Sequence, residues 1–252
     1  MSLCIARGTL NVVGVDAAKY LQGQLSNDVA GLAVGASCWS FLLEPSGKLG
    51  FVVRVLRDGA ESFTIDTDAG VAARVETRLR RFLIRTKATL AVGETVVDLD
   101  GHGVGAELVG WWGDGTHRVT DAPPTIEGGQ LAESRRFGAG WPGAAELLDG
   151  LIPGETGLVP VAASFTKGCY TGQELVARID SRGNNVPKLL HRVLLESAAV
   201  AGDEIVVDGT SVGSLTSVSG LAALAYVRRS VTAPFNALVG GAPARIVGLR
   251  DD

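Results

Sequence analysis

The sequence predicts an α+β protein of two or three modest domains, the last of them all-β. Three observations carry this. The chain has 252 residues, long for a single core. Its 34 glycines and 9 prolines favour turns and short strands over long helices. Beyond residue 187 every apolar run is short and bounded by Gly or Asp turns.

Residues 5–15 carry two short β-like runs around Gly8. Asp16 stands where an N-cap belongs and opens a short helix over 17–24, with Leu21 inward. Residues 23–28 form a polar turn; Asn27 and Asp28 are of the type that bonds locally to backbone. Residues 38–43 and 49–56 read as a hairpin about Pro45, Ser46 and Gly47, followed by an alternating strand over 61–65. Lys48, at the hairpin tip, is either solvated or an anion contact.

Residues 71–83 form the clearest amphipathic helix, with Val71, Val75, Leu79 and Phe82 at helical spacing. Arg74, Arg78, Arg81 and Arg85 follow the adjacent face. Such a stripe is either a plain solvated face or a contact for RNA phosphates or a polyanionic tail. Residues 87–92 and 95–99 read as two strands. Gly101, Gly103 and Gly105 lack the spacing and the helix of a dinucleotide loop, and read as a strand-to-strand connection. Residues 111–115 form a turn bearing Trp111 and Trp112. Residues 133–137 and 144–148 read as short helices, and 152–160 as an irregular bridge. After the turn-rich boundary at 181–187, strands are expected over 189–195, 204–207, 211–218, 221–227 and 244–247, with a hairpin at Asp208 and Gly209. Roughly 60 residues of this kind make a small barrel or a jelly roll.

The formal net charge of −4 provides no global basic field, so direct nucleic-acid binding is not expected. Three cysteines and three histidines show no metal-ligand spacing, and no metal site is expected. Neither a basic-then-apolar leader nor an apolar run of membrane length is present, which predicts a soluble, cytoplasmic chain with no membrane partner.

The densest chemistry lies in KGCYTGQE at 167–174. Thr171 and Glu174 precede Leu175, Val176 and Ile179 with capping-box spacing, so a helix is expected to begin there. Cys169 would sit just before its N-terminus, two residues from Lys167, where free amides and an ammonium favour a thiolate. The same spacing also describes a plain capped helix beside a small buried thiol.

This stretch resembles the signature of the YgfZ-type folate-binding proteins, relatives of the glycine-cleavage T protein, a tetrahydrofolate-dependent aminomethyltransferase. LQGQLSND at 21–28, LEPSGK at 43–48, RFGAGWP at 136–142 and LAYVRR at 224–229 resemble further blocks of that family, in its order. The resemblance implies a three-domain T-protein-like ring. Two interleaved α/β domains would take residues 1–45 with about 100–150, and 46–99 with about 151–185; a small β-barrel would take 186–252. It implies tetrahydrofolate or a derivative as cofactor, and iron–sulfur client or assembly proteins as partners. It implies a role in cluster assembly or repair, and in cluster-dependent enzymes such as those that methylthiolate tRNA. Cys169 and Lys167 would be the reactive pair. Arg136, Gln173, Tyr170, Asn27 and Lys48 would hold folate, Arg136 through the folate's glutamate carboxylate. Gly168, Thr171, Gly172 and Glu174 would shape the motif. The transferases carry paired aspartates where this chain has Phe51 and Val52, so aminomethyl transfer is not expected. The alternatives are a tetrahydrofolate-dependent aminomethyl or one-carbon transferase and a non-enzymatic RNA-interacting module.

Overall fold

Period-two alternation builds the first part of the chain into strands, and the polarity of alternate positions decides which face is covered. The computed structural model describes residues 2–113, 115–181, 183 and 185–250. Asp114, Arg182 and Asn184, in the turn and boundary expected above, lie outside the described residues. The chain divides into two compact units, residues 1–132 with 160–177, and 133–159 with 178–252.

In the first unit, strands β1 (Cys4–Val13), β2 (Ser37–Leu43), β3 (Leu49–Arg57), β4 (Ser62–Asp68), β5 (Thr89–Asp98), β6 (Glu107–Val109) and β7 (Thr116–Thr120) form one antiparallel sheet. Its order is β2-β3-β4-β1-β5-β7-β6. Leu10, Val12, Val53, Val55, Phe63 and Ile65 point to one face. Helices α1 (Ala17–Gln24) and α2 (Ala72–Arg80) join that core through Leu21, Val75 and Leu79. Each such side chain contributes roughly 1.5–3 kcal/mol by burial. The opposite face carries Arg7 and Arg54, both paired with Asp66. A smaller cluster of Leu56, Val97, Leu99 and Leu108 includes Ala132 of helix α3 (Gly128–Ala139).

The structure revises several expected elements. The two runs around Gly8 are one strand, and so are 87–92 and 95–99, because β1 and β5 pair without a break from Cys4↔Asp98 to Val13↔Thr89. Strands β6 and β7 had no sequence signal of useful length. Helix α2 is shorter than 71–83. Residues 144–148 form turns, not a helix. Asp16 precedes α1 as expected but makes no side-chain cap; its Oδ2 accepts from the Lys87 amide at 2.7 Å. The expected division at 45/46 falls inside the β2–β3 hairpin, whose strands pair from Ser37↔Leu56 to Leu43↔Leu49.

The second unit contains a closed six-stranded barrel, ordered β10-β11-β8-β13-β12-β9. Its strands are β8 (Lys188–Leu195), β9 (Glu204–Val207), β10 (Thr210–Ser219), β11 (Ala222–Arg228), β12 (Phe235–Val239) and β13 (Ala242–Val247). The hairpin read at Asp208 and Gly209 is present, both residues having positive φ (48° and 76°), as a two-residue primed turn requires. Only β12 escaped the sequence reading. The barrel is filled by Val193, Ile205, Leu215, Ala225, Val227 and Ile246.

Candidate functional site

Three of the sequence blocks meet within the first unit, and glycines make the meeting possible. Gly47, at the β2–β3 turn, has φ +82°, and Gly172 has φ +83°. A Cβ on Gly172 would lie 2.7 Å from the Glu44 carbonyl oxygen; one on Gly47 would lie 2.5 Å from Leu175 Cβ. Neither position tolerates a side chain without displacing backbone or core. Gly168, by contrast, has open space where its Cβ would stand.

The 21–28 block is tied to the same region by Lys167. Its ammonium donates to the carbonyls of Gln22 (2.7 Å), Leu25 (2.6 Å) and Asn27 (2.9 Å), at and beyond the C-terminal end of α1. A cation is well placed there, where helix carbonyls lack amide partners. Burial pulls the Lys167 pKa down to about 8, while Asp28 and Cys38 act in the opposite direction. The Tyr170 ring lies 5.0 Å from the ammonium, and burial pushes that phenol up to about 12. Lys167 was expected to serve Cys169. Its three donors are instead engaged by backbone, and its charge acts on Cys38, whose thiol is pushed up to about 12 by burial against the pull of Lys167. Cys169 is exposed and free.

Helix α5 (Gln173–Asp180) begins one residue before Glu174. The Tyr170 amide donates to Gln173 Oε1 at 3.0 Å, so Gln173, not Glu174, reaches back across the turn. The Thr171 amide donates to the Gly23 carbonyl at 2.9 Å, and its hydroxyl to the same oxygen at 3.3 Å. The expected Thr171–Glu174 capping box is therefore replaced by a Tyr170–Gln173 contact and a tie to the end of α1. Cys169 lies on the outer side of this tied turn.

Other expected ligand residues have work within the chain. Asn27 donates to the carbonyls of Trp39 (2.8 Å) and Val161 (3.1 Å) and accepts from the Asp28 amide (2.9 Å), which uses both its amide protons. Ser26 Oγ donates to the Ala162 carbonyl at 2.5 Å in helix α4 (Val159–Ala162). In the second unit Arg136 donates to both Glu133 oxygens (3.0 and 2.6 Å), to buried Glu146 (3.1 Å) and to the Trp141 carbonyl (2.8 Å). Every nitrogen of Arg136 is thus engaged, and the glutamates it holds belong to its own chain. Lys48 is half-buried and has no side-chain partner among the described residues. Gln24 Oε1, at the last position of α1, is buried without a donor among them.

Sequence reasoning missed Cys38, Gln24 and the charged lattice on the other face of the sheet. There Arg54, 2% exposed, donates to Asp66 Oδ2 at 3.0 Å, to the Val109 carbonyl at 3.0 Å and to His117 Nδ1 at 2.9 Å. Accepting at Nδ1, His117 carries its proton on Nε2. Trp39 lies 5.2 Å beneath the Arg54 guanidinium. Burial alone would raise the Asp66 carboxyl, but Arg54 and Arg7 pull it below its ordinary value. An arginine inside the apolar run of β3 was the signal available for this cluster; Asp66 sits in the largely polar β4 and gave none. Among the described residues no group of three or more His, Cys, Asp or Glu is placed to hold a metal ion, and no helix is long and apolar enough to cross a membrane.

No family model matches the chain. A Haemophilus influenzae protein of unassigned role is 28% identical over 78% of this chain and 74% of its own length. The mitochondrial iron-sulfur cluster assembly factor IBA57 homolog of Neurospora crassa is 27% identical over 81% of this chain. The tRNA-modifying protein YgfZ of Edwardsiella ictaluri is 29% identical over 70% of it. The chain spans 55% of the Neurospora protein and 65% of the Edwardsiella protein. The crystal structure of glycine cleavage system aminomethyltransferase T from Bartonella henselae superposes with a TM-score of 0.78 over 98% of this chain and 86% of its own, at 16% identity. That likeness shows the fold. The chain is thus similar in sequence to IBA57 and YgfZ proteins and shares the fold of the aminomethyltransferase.

Proposed function

We propose that this protein is a folate-binding accessory factor that supports iron–sulfur cluster assembly or repair, and through it cluster-dependent enzymes such as tRNA methylthiolases. The observation that carries the reading is the tied turn at 167–173. Lys167 and Thr171 anchor it to the end of α1, Gly172 packs it on the β2–β3 hairpin, and Cys169 is left exposed. Rigid support beneath an accessible thiol suits a group that must meet a partner protein or a cluster in transit.

Lys48 would take a carboxylate of the folate tail, and Gln24 would accept from a pterin N–H. Tetrahydrofolate, when bound, supplies a carrier for one-carbon units. The names of the Neurospora and Edwardsiella relatives favour the cluster and tRNA roles over aminomethyl transfer. So does the local chemistry. Strand β3 directs Phe51 and Val52 to opposite faces, and neither can orient or deprotonate an aminomethyl adduct.

The test is genetic. A host lacking its own copy receives the full chain or Cys169→Ala, and cluster-enzyme activity and tRNA methylthiolation are measured under oxidative stress. Rescue by the full chain and failure of Cys169→Ala are expected. A host indifferent to the loss of the gene would overturn the function; full rescue by Cys169→Ala would remove the thiol from it.

A further inference from the structure

The arginine stripe of α2 is not the plain solvated face that its spacing allows. Arg78 is 3% exposed, with its Nη2 donating to the Leu43 carbonyl and its Nε 3.6 Å from Glu44 Oε1. Both Nε and Nη1 are buried and have no hydrogen-bond acceptor among the described residues. Burial disfavours the Arg78 charge; Glu44 supports it and Arg81 opposes it. A buried guanidinium with open donors is costly unless something accepts from it.

Arg78 lines an open pocket of about 400 Å³ with Arg74, Arg81, Glu44, Phe51 and Thr77. Arg74 lies over the Phe51 ring at 5.4 Å, and Arg78 over the Phe82 ring at 4.6 Å, which restricts both guanidinium planes. Neither Arg74 nor Arg81 has an ion-pair partner among the described residues, whereas Arg80 of the same helix is paired with Glu76 at 2.6 Å. Thr77 donates to the Ala73 carbonyl at 2.9 Å. Three arginines against one carboxylate leave the lining with an excess of two positive charges.

We infer that this pocket binds a phosphate group, with Arg78 as its buried donor and Arg74 and Arg81 closing over it from the rim. The open Nε and Nη1 donors lie on different edges of the guanidinium, so one planar carboxylate cannot satisfy both. A tetrahedral anion can accept on one of these edges and still offer its remaining oxygens to Arg74 and Arg81, which the two oxygens of a carboxylate cannot. A phosphomonoester dianion also matches the excess charge. The concave shape and the buried cation favour the phosphate of a small molecule, free or borne on a nucleotide, over an RNA backbone. This site does not rest on the folate reading.

The test is calorimetric titration of the full chain with inorganic phosphate, and separately with AMP, at fixed ionic strength in chloride. Saturable binding of at least one, with a dissociation constant at or below about 1 mM, is expected. The exposed pair Arg74→Ala/Arg81→Ala should weaken it at least about tenfold with thermal stability unchanged, as loss of charge-assisted hydrogen bonds requires. Arg78→Lys, which keeps the charge and removes Nε and Nη1, should weaken it too. Phosphate alone in the titration identifies the free anion; a preference for AMP identifies a nucleotide. The inference is overturned if neither binds up to about 10 mM, if the double variant binds as the parent does, or if only RNA is retained.

Discussion

Two cations of the first unit sit against backbone carbonyls and meet opposite fates. Lys167 is half-buried, and its three donors reach three carbonyls at the end of α1. Arg78 is more deeply buried, yet two of its three nitrogens have no hydrogen-bond acceptor among the described residues, Nε only approaching Glu44 at 3.6 Å. The first arrangement is complete within the chain and reads as architecture. The second is incomplete within the chain and reads as a place for a ligand. Arg54 sharpens the contrast: it is as buried as Arg78 but is answered by Asp66, His117 and a carbonyl. Burial therefore does not separate structural from functional cations here; satisfaction does.

The largest expected effect breaks the complete case. Asp66→Asn leaves buried Arg54 without a carboxylate and Arg7 with Asp68 alone, and should cost about 3–5 kcal/mol of unfolding free energy in urea titrations. Its pH dependence follows from the depressed Asp66 value. The carboxylate's contribution is fully present above about pH 4, the ordinary carboxyl range. It is lost as the pH falls through the lower folded value. The parent's margin over Asp66→Asn should therefore shrink in acid and not in base.

Next comes Lys167→Met, which strips three carbonyls of their donor and should cost about 2–3 kcal/mol. Gly172→Ala should cost about 2 kcal/mol, because the new Cβ meets the Glu44 carbonyl at a positive φ. Gly168→Ala, in open space, should change stability little. Arg78→Met should also be mild: if the cation is retained for a ligand and not for the fold, its loss should shift stability by no more than about 1 kcal/mol in either direction. A loss comparable to that of Lys167→Met would erase the distinction between the two.

Much of this was legible in the sequence, for identifiable reasons. Helix α1 and strand β9 were read with their observed bounds, since Asp16, Gly202 and the Asp208–Gly209 turn mark them. Strand β12 was not, because Pro234, Asn236 and Ala237 are weak strand formers and only Ala237 and Val239 of the strand are fully buried. The motif was located correctly, but the partners within it were not. Spacing puts Lys167 beside Cys169 and Glu174 beside Thr171, whereas the structure sends Lys167 and Thr171 to the end of α1, more than a hundred residues away. Asn27 and Arg136 illustrate the same limit. A sequence names residues able to bind a ligand; only packing shows which of them already have partners.

The most direct test of the central claim is a titration of the full chain with tetrahydrofolate, followed by quenching of its tryptophan fluorescence. Saturable quenching is predicted, weakened about tenfold in Lys48→Ala through loss of one charge-assisted contact and unchanged in Arg74→Ala/Arg81→Ala. Absence of saturable quenching in the parent, or equal affinity in Lys48→Ala, would contradict the account.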